Sequence, residues 1–136
     1  MTVFVDTSAI VALASAADAH HTEAVTTWKA LRDRTARLVT TDLVLAEVVI
    51  VVRSRAGFES SVRAGERLMA APFELVWVDR PLFEEAWRLY RRYRDHVLSL
   101  CDCVSFALMH RRGLRTAFAY DRDFEAVGFR CARPSR

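Results

Sequence analysis

Val3-Phe4-Val5-Asp6-Thr7-Ser8 decides how the rest of the chain reads. An apolar, strand-like run stops on a carboxylate, and the chain then turns into a helix. An acid at the end of a buried strand is costly unless positive charge sits on it. Three more acids, Glu47, Asp102 and Asp121, stand in similarly apolar surroundings. One metal site shared by the four accounts for them all.

Working outward, strand-like runs are short and alternate with helical patterns. Strands are expected at residues 2–5, 37–40, 74–78 and 116–119, with a possible fifth at 129–131. Helices are expected near 8–16, 20–35, 42–55, 58–71, 81–95 and 100–112. Asp79 with Pro81 marks one helix start, since Asp caps free N–H groups and proline is tolerated in the first turn. Ser99 marks another start, and Gly113 stands where that helix should end. The alternation predicts an α/β fold, a three-layer α/β/α domain with a mainly parallel central sheet. In such sheets ligands bind beyond the carboxyl ends of the strands, where strand order reverses. Asp6 and Asp121 converge there if the first and fourth strands are neighbours.

Length and composition bound the rest. The 136 residues make one domain, residues 1–136, with 52% hydrophobic and 27% charged residues, the balance of a packed globule. No apolar run approaches the roughly 20 residues that span a bilayer. The N-terminus has neither the basic segment nor the small-residue cleavage site of a signal peptide, so a cytoplasmic protein is expected. Cys101, Cys103 and Cys131 form no zinc spacing and read as buried thiols. Net charge is +3, from 19 Arg and one Lys among the 20 basic residues, and 12 of the arginines lie at position 80 or beyond. That tilt suits a polyanionic partner, or equally a solvated arginine-rich surface.

Each acid has an ordinary explanation beside the metal one. Glu47 is the only polar residue in Leu43-Val44-Leu45-Ala46-Glu47-Val48-Val49-Ile50-Val51-Val52. A helix apolar nearly all round is buried, so Glu47 either points into a cleft or pairs with an arginine such as Arg53. Asp102 completes Ser99-x-x-Asp102, which also fits a capping box. Asp121 and Asp123 follow a strand, where turns favour Asp, and their spacing also lets them share a metal. As a set, four carboxylates with no histidine expected nearby suit hard Mg²⁺ or Mn²⁺. His20-His21 reads as an exposed pair at a helix start. Other aspartate chemistries fit less well: the only lysine is Lys29, the first strand offers Asp6-Thr7-Ser8 in place of Asp-x-Asp, and no glycine-rich phosphate loop is present.

At this point the chain resembles the PIN-domain ribonucleases, in particular the VapC toxins of bacterial toxin-antitoxin pairs. The residues that carry the resemblance are Val5-Asp6-Thr7-Ser8-Ala9, Thr41 to Glu47 with Arg53-Ser54-Arg55, residues 98–107 and Asp121-Arg122-Asp123-Phe124. The resemblance implies a PIN-like domain in which Asp6, Glu47, Asp102 and Asp121 bind Mg²⁺ or Mn²⁺ and direct metal-activated water at RNA. Asp6 and Asp102 would be the closest ligands, with Asp123 as a fifth acid and Ser8 orienting a ligand. It also implies a homodimer and a cognate antitoxin lying in a hydrophobic groove, for which helices 43–52 and 58–71 are the expected wall; plain core is the alternative. Arg88, Arg91, Arg92 and Arg94, interleaved with Tyr90 and Tyr93, fit either RNA phosphates and bases or a solvated helix face. Two positions depart from the family pattern, Cys101 and Ala119 replacing threonines. They leave room for an alternative, a catalytically weak binding module that acts through antitoxin or RNA.

Overall fold

The computed structural model describes residues 1–134; residues 135 and 136 of the expected domain lie outside the described residues. Five strands, β1 (Thr2–Val5), β2 (Arg37–Thr41), β3 (Phe73–Val76), β4 (Thr116–Phe118) and β5 (Arg130–Cys131), form one sheet in the order β3-β2-β1-β4-β5. Every strand pair in it is parallel, so "mainly parallel" sharpens to all-parallel. β1 sits at the centre, with Phe4 opposite Val39 of β2 on one side and Ala117 of β4 on the other. Val3, Phe4 and Val5 are wholly buried, which is why this run lacks the polar alternation of a one-faced strand.

The helices are α1 (Thr7–Ala14), α2 (His21–Asp33), α3 (Asp42–Ala56), α4 (Phe58–Leu68), α5 (Arg80–Arg92), α6 (Leu100–Arg112) and α7 (Asp123–Ala126). Right-handed crossovers place α1 to α4 on one face and α5 to α7 on the other, a three-layer sandwich. The expected caps are present: Asp79 accepts from Leu82 N at 2.9 Å, and Gly113 closes α6 in the left-handed region at φ 64°.

Three expectations change. α7 was not anticipated; its four residues are too few to show a period, and it is held by Phe124, which stacks on Phe4 at 6.2 Å and meets Phe106 edge-on at 4.9 Å. The helices expected to reach 71 and 95 stop at Leu68 and Arg92. And α3 is not buried all round: Val44, Val48 and Val52 line its inner face at i, i+4, i+8, while Ile50 is 70% exposed. Apolar composition hid an ordinary one-sided helix.

The strand order creates the crevice that matters. From β1 the chain proceeds to β2 on one side and returns later through β4 on the other. The ends of β1 and β4 therefore diverge into helices on opposite faces, the switch point where such sheets bind ligands.

Candidate functional site

Asp6 leaves β1 as the N-cap of α1. Its Oδ2 accepts from Ser8 N at 3.1 Å and from Ser8 Oγ at 2.6 Å, which satisfies helix N–H groups that would otherwise lack partners. The same Ser8 Oγ accepts from Tyr120 N at 2.9 Å, and Asp6 N donates to Phe118 O at 3.0 Å. Ser8 thus links Asp6 to the chain just after β4.

Glu47 reaches the crevice from α3, whose start is fixed by Thr41 accepting from Val44 N at 3.2 Å. Arg53 does not take it up; the guanidinium lies 5.2 Å from the Phe58 ring centroid. Asp102 arrives from the opposite layer on the first turn of α6. Its Oδ2 accepts from Ser99 N at 3.2 Å while Ser99 Oγ accepts from Asp102 N at 3.0 Å, a complete capping box. The cap engages Oδ2 and leaves the second carboxylate oxygen, Oδ1, outside it. Asp121 follows β4 and accepts from Asp123 N at 2.9 Å, the turn chemistry read from the sequence.

Asp6, Glu47, Asp102 and Asp121 line one cleft of about 330 Å³, together with Thr7, Ser8, Asp18, His20, Arg55 and Tyr120. Asp102, Asp121 and Asp123 each offer an oxygen within 4.8 Å of the others. Asp123, expected as a fifth acid, thus stands with Asp102 and Asp121 in one group.

Electrostatics mark the cleft as unfinished. Burial pushes the Asp6 carboxyl from its ordinary 3.8 up to about 7; its Ser8 hydrogen bonds oppose the rise and the charges of Asp102 and Asp121 add to it. Burial likewise raises Asp102 to about 6, with Asp121 and Glu47 adding to it. Asp123 is raised by burial and by Asp121, and His96 works against that rise. Among the described residues, Arg55 is the arginine that lines the cleft, and it bonds Asp18 at the rim at 3.4 Å. Like charges gathered without a cation are what an incoming cation would relieve.

The sequence missed the histidine. His20 lines the cleft and stacks on Tyr120 at 4.3 Å with an interplanar angle of 9°, because the turn before α2 folds back over the end of β4. Arg133 lies 4.9 Å from the Tyr120 ring centroid and bonds Ala119 O at 3.0 Å. No local signal links residues a hundred positions apart. Of the two departures from the family pattern, Ala119 is wholly buried, while the Cys101 thiol lies against Glu47; burial, then Glu47, Asp6 and Asp102, push that thiol far up. Cys103 is buried, but Cys101 and Cys131 are only partly so.

The PIN domain model matches residues 3–130. The chain belongs to the PIN-domain family. This PIN domain is 33% identical over 132 residues to the 23S rRNA-specific endonuclease VapC20 of Mycobacterium tuberculosis, covering 97% of this chain and 98% of that protein. It is 28% identical over 120 residues to ribonuclease VapC26 of the same organism, covering 88% and 87%. The crystal structure of VapC20, described as a sarcin-ricin loop cleaving toxin, superposes with a TM-score of 0.88 over 97% of this chain and 99% of that one. A VapBC2 complex from Rickettsia felis matches at a TM-score of 0.68 and 12% identity, covering 96% and 97%, a likeness of fold.

Among the described residues, no helix is long and apolar enough to cross a membrane. An apolar groove is present, and one of the two helices expected as its wall lines it. It holds about 430 Å³ between α1, α2 and α4, lined by Ile10, Leu13, Trp28, Ala64, Leu68 and Phe73. α4 contributes a wall, but α3 does not, because its inner valines are spent on packing.

Proposed function

We propose that the PIN domain is a metal-dependent endoribonuclease and the toxin of a toxin-antitoxin pair. The observation that carries this is the set of carboxylates at the switch point, held in place by Ser8, Ser99 and the Asp121 turn yet matched by no cation of their own. An all-oxygen donor set suits Mg²⁺ or Mn²⁺, and Asp102, Asp121 and Asp123, with Asp6 and Glu47 beside them, are the residues that would hold it. A divalent ion supplies the positive charge that activates water and steadies the leaving oxygen of a phosphodiester. The chain's own part is positioning. Ser8 fixes the Asp6 carboxylate, the capping box fixes Asp102, and His20 and Tyr120 wall one side of the cleft. Ribosomal RNA comes first among substrates to test, since VapC20 is named for it.

The groove between α1, α2 and α4 is the seat we assign to the cognate antitoxin, with Arg63 and Arg67 at its rim. A second copy of the chain completes the assembly expected of such toxins. The alternative, a catalytically weak binding module, draws on Cys101, whose thiol takes a place where a hydroxyl would bond.

Incubation with ribosomal RNA tests the proposal. Cleavage should require Mg²⁺ or Mn²⁺ and stop on addition of EDTA. Cleavage that persists in EDTA would overturn the metal reading, and growth arrest on expression that survives loss of all four acids would favour the binding module.

A further inference from the structure

One helix face remains unexplained by folding. α5 buries Leu82 and Ala86 and packs Leu89 and Tyr93 against the core. On the flank of that buried face Phe83, Trp87 and Tyr90 recur at i, i+4, i+7 and stand 40%, 48% and 44% exposed. Trp87 and Tyr90 stack with centroids 5.6 Å apart and 24° between planes. Large aromatic side chains left facing water on one stripe mark a contact surface.

Charge says what kind of contact. Arg88, Arg91 and Arg92 on the exposed part of α5, and Arg94 just past its end, are all exposed, and among the described residues none makes a salt bridge. Elsewhere on the hairpin, arginines are matched: Arg80 holds Glu84 at 2.8 Å and Arg111 holds Glu85 at 2.9 Å. A second copy is a poor occupant, because a two-fold interface sets a patch against itself, so four arginines would face four with only Asp95 nearby to compensate. A polyanion with flat apolar rings meets both features.

Position completes the case. α5 and α6 run antiparallel, as Arg111 near the end of α6 reaching Glu85 near the start of α5 shows. The end of α5 therefore lies beside the start of α6, where Asp102 sits. Tyr93, which ends α5, meets His96 edge-on at 5.6 Å in the short connection to α6. The stripe thus leads along the helix to the acids.

We propose that the outer face of α5, Trp87 and Tyr90 flanked by Arg88, Arg91 and Arg94, is a stacking platform for unpaired bases of the RNA strand cut in the acidic cleft. This rests on the ribonuclease reading above. It also replaces Tyr93 by Trp87 as the ring that works with Tyr90.

The test is anisotropy of a labelled single-stranded RNA of about 20 nucleotides, with EDTA present to prevent cutting. The double variant Trp87→Ala/Tyr90→Ala should weaken binding about tenfold or more, and Trp87→Phe should recover much of it. Arg91→Ala/Arg94→Ala should flatten the salt dependence by roughly one unit of log–log slope. Met69→Ala, at another exposed apolar side chain, should bind as wild type. If the protein cuts RNA with Mn²⁺ present but the aromatic and arginine variants bind it unchanged, the platform falls and the nuclease stands. A dimer-to-monomer change in the aromatic variant at unaltered RNA affinity would assign the face to a second copy. If the wild type neither binds nor cuts RNA, the nuclease reading falls first and takes the platform with it.

Discussion

Glu74 and Asp6 are both acids on strands of the same sheet, and they are handled in opposite ways. Glu74 on β3 meets Arg112 at 2.8 Å, and the hydrogen bond from that guanidinium holds its carboxyl below the usual range. Asp6, at the end of β1, is 4% exposed, faces Asp102 and Asp121, and is pushed up instead. The chain has 19 arginines to place, so lack of cations does not explain the difference. Glu74 is paired with a cation at the surface; the acids at the switch point have hydrogen-bond donors but, among the described residues, no salt bridge.

Removing a charge from each place should separate the two by the largest margin. Asp6→Asn should cut RNA cleavage more than about a hundredfold while leaving the circular dichroism spectrum unchanged; full cleavage would erase the distinction. The same variant should unfold at a higher temperature than wild type in EDTA at pH 8, since it removes a buried charge that Ser8 hydrogen-bonds but no cation offsets among the described residues.

The next effect is on stability against pH. Because folding raises the Asp6 carboxyl from 3.8 to about 7, the folded state binds the extra proton. The stabilisation is fully present below pH 4 and is lost as pH rises through 7. Asp102, raised to about 6, acts in the same sense. Metal-free protein should therefore lose about 2–4 kcal/mol between pH 5 and pH 8, read by denaturant titration at each pH. Added Mn²⁺ should reverse that slope, because bound cation and bound proton compete for the same oxygens. A metal-free stability flat from pH 5 to 8 would contradict the buried-acid account.

Smaller again is the cost of loosening the frame. Ser8→Ala removes the hydroxyl that bonds both Asp6 and Tyr120 N, and should cost about 1 kcal/mol of stability with a partial loss of cleavage. Smallest is the surface pair: Arg112→Ala should cost at most about 0.5 kcal/mol with cleavage unaffected, and a comparable loss in both assays would mean that the two ends of the sheet are not independent.

What could be read along the chain follows from how local each feature is. The strands and most helices show in patterning and caps, and Asp6, Glu47, Asp102 and Asp121 show as acids in apolar context. The capping box was legible because its partners are three residues apart. His20 over Tyr120 and the hydroxyl of Ser8 on Tyr120 N were not, since they join the first twenty residues to a position near 120 and exist only once β1 and β4 are paired. The extent of α3 was readable, but not its exposed side, because ten nearly uniform apolar residues carry no phase. On α5 the pattern did not show which rings face outward: Tyr93 lies three residues from Tyr90, yet it packs against the core while Trp87 and Tyr90 stay exposed.

The hydroxyl of Ser8 also sets a width. By donating to Asp6 while accepting from the chain just beyond β4, it pins the two strands at the place where they begin to splay, so the mouth of the crevice has its span before anything enters. An ion arriving there meets an aperture it did not shape. In the metal site proposed above, choice among cations would fall on radius and on the water each can shed, and a substitution that lengthens or removes that one link would alter which ion is accepted before it alters whether the chain folds.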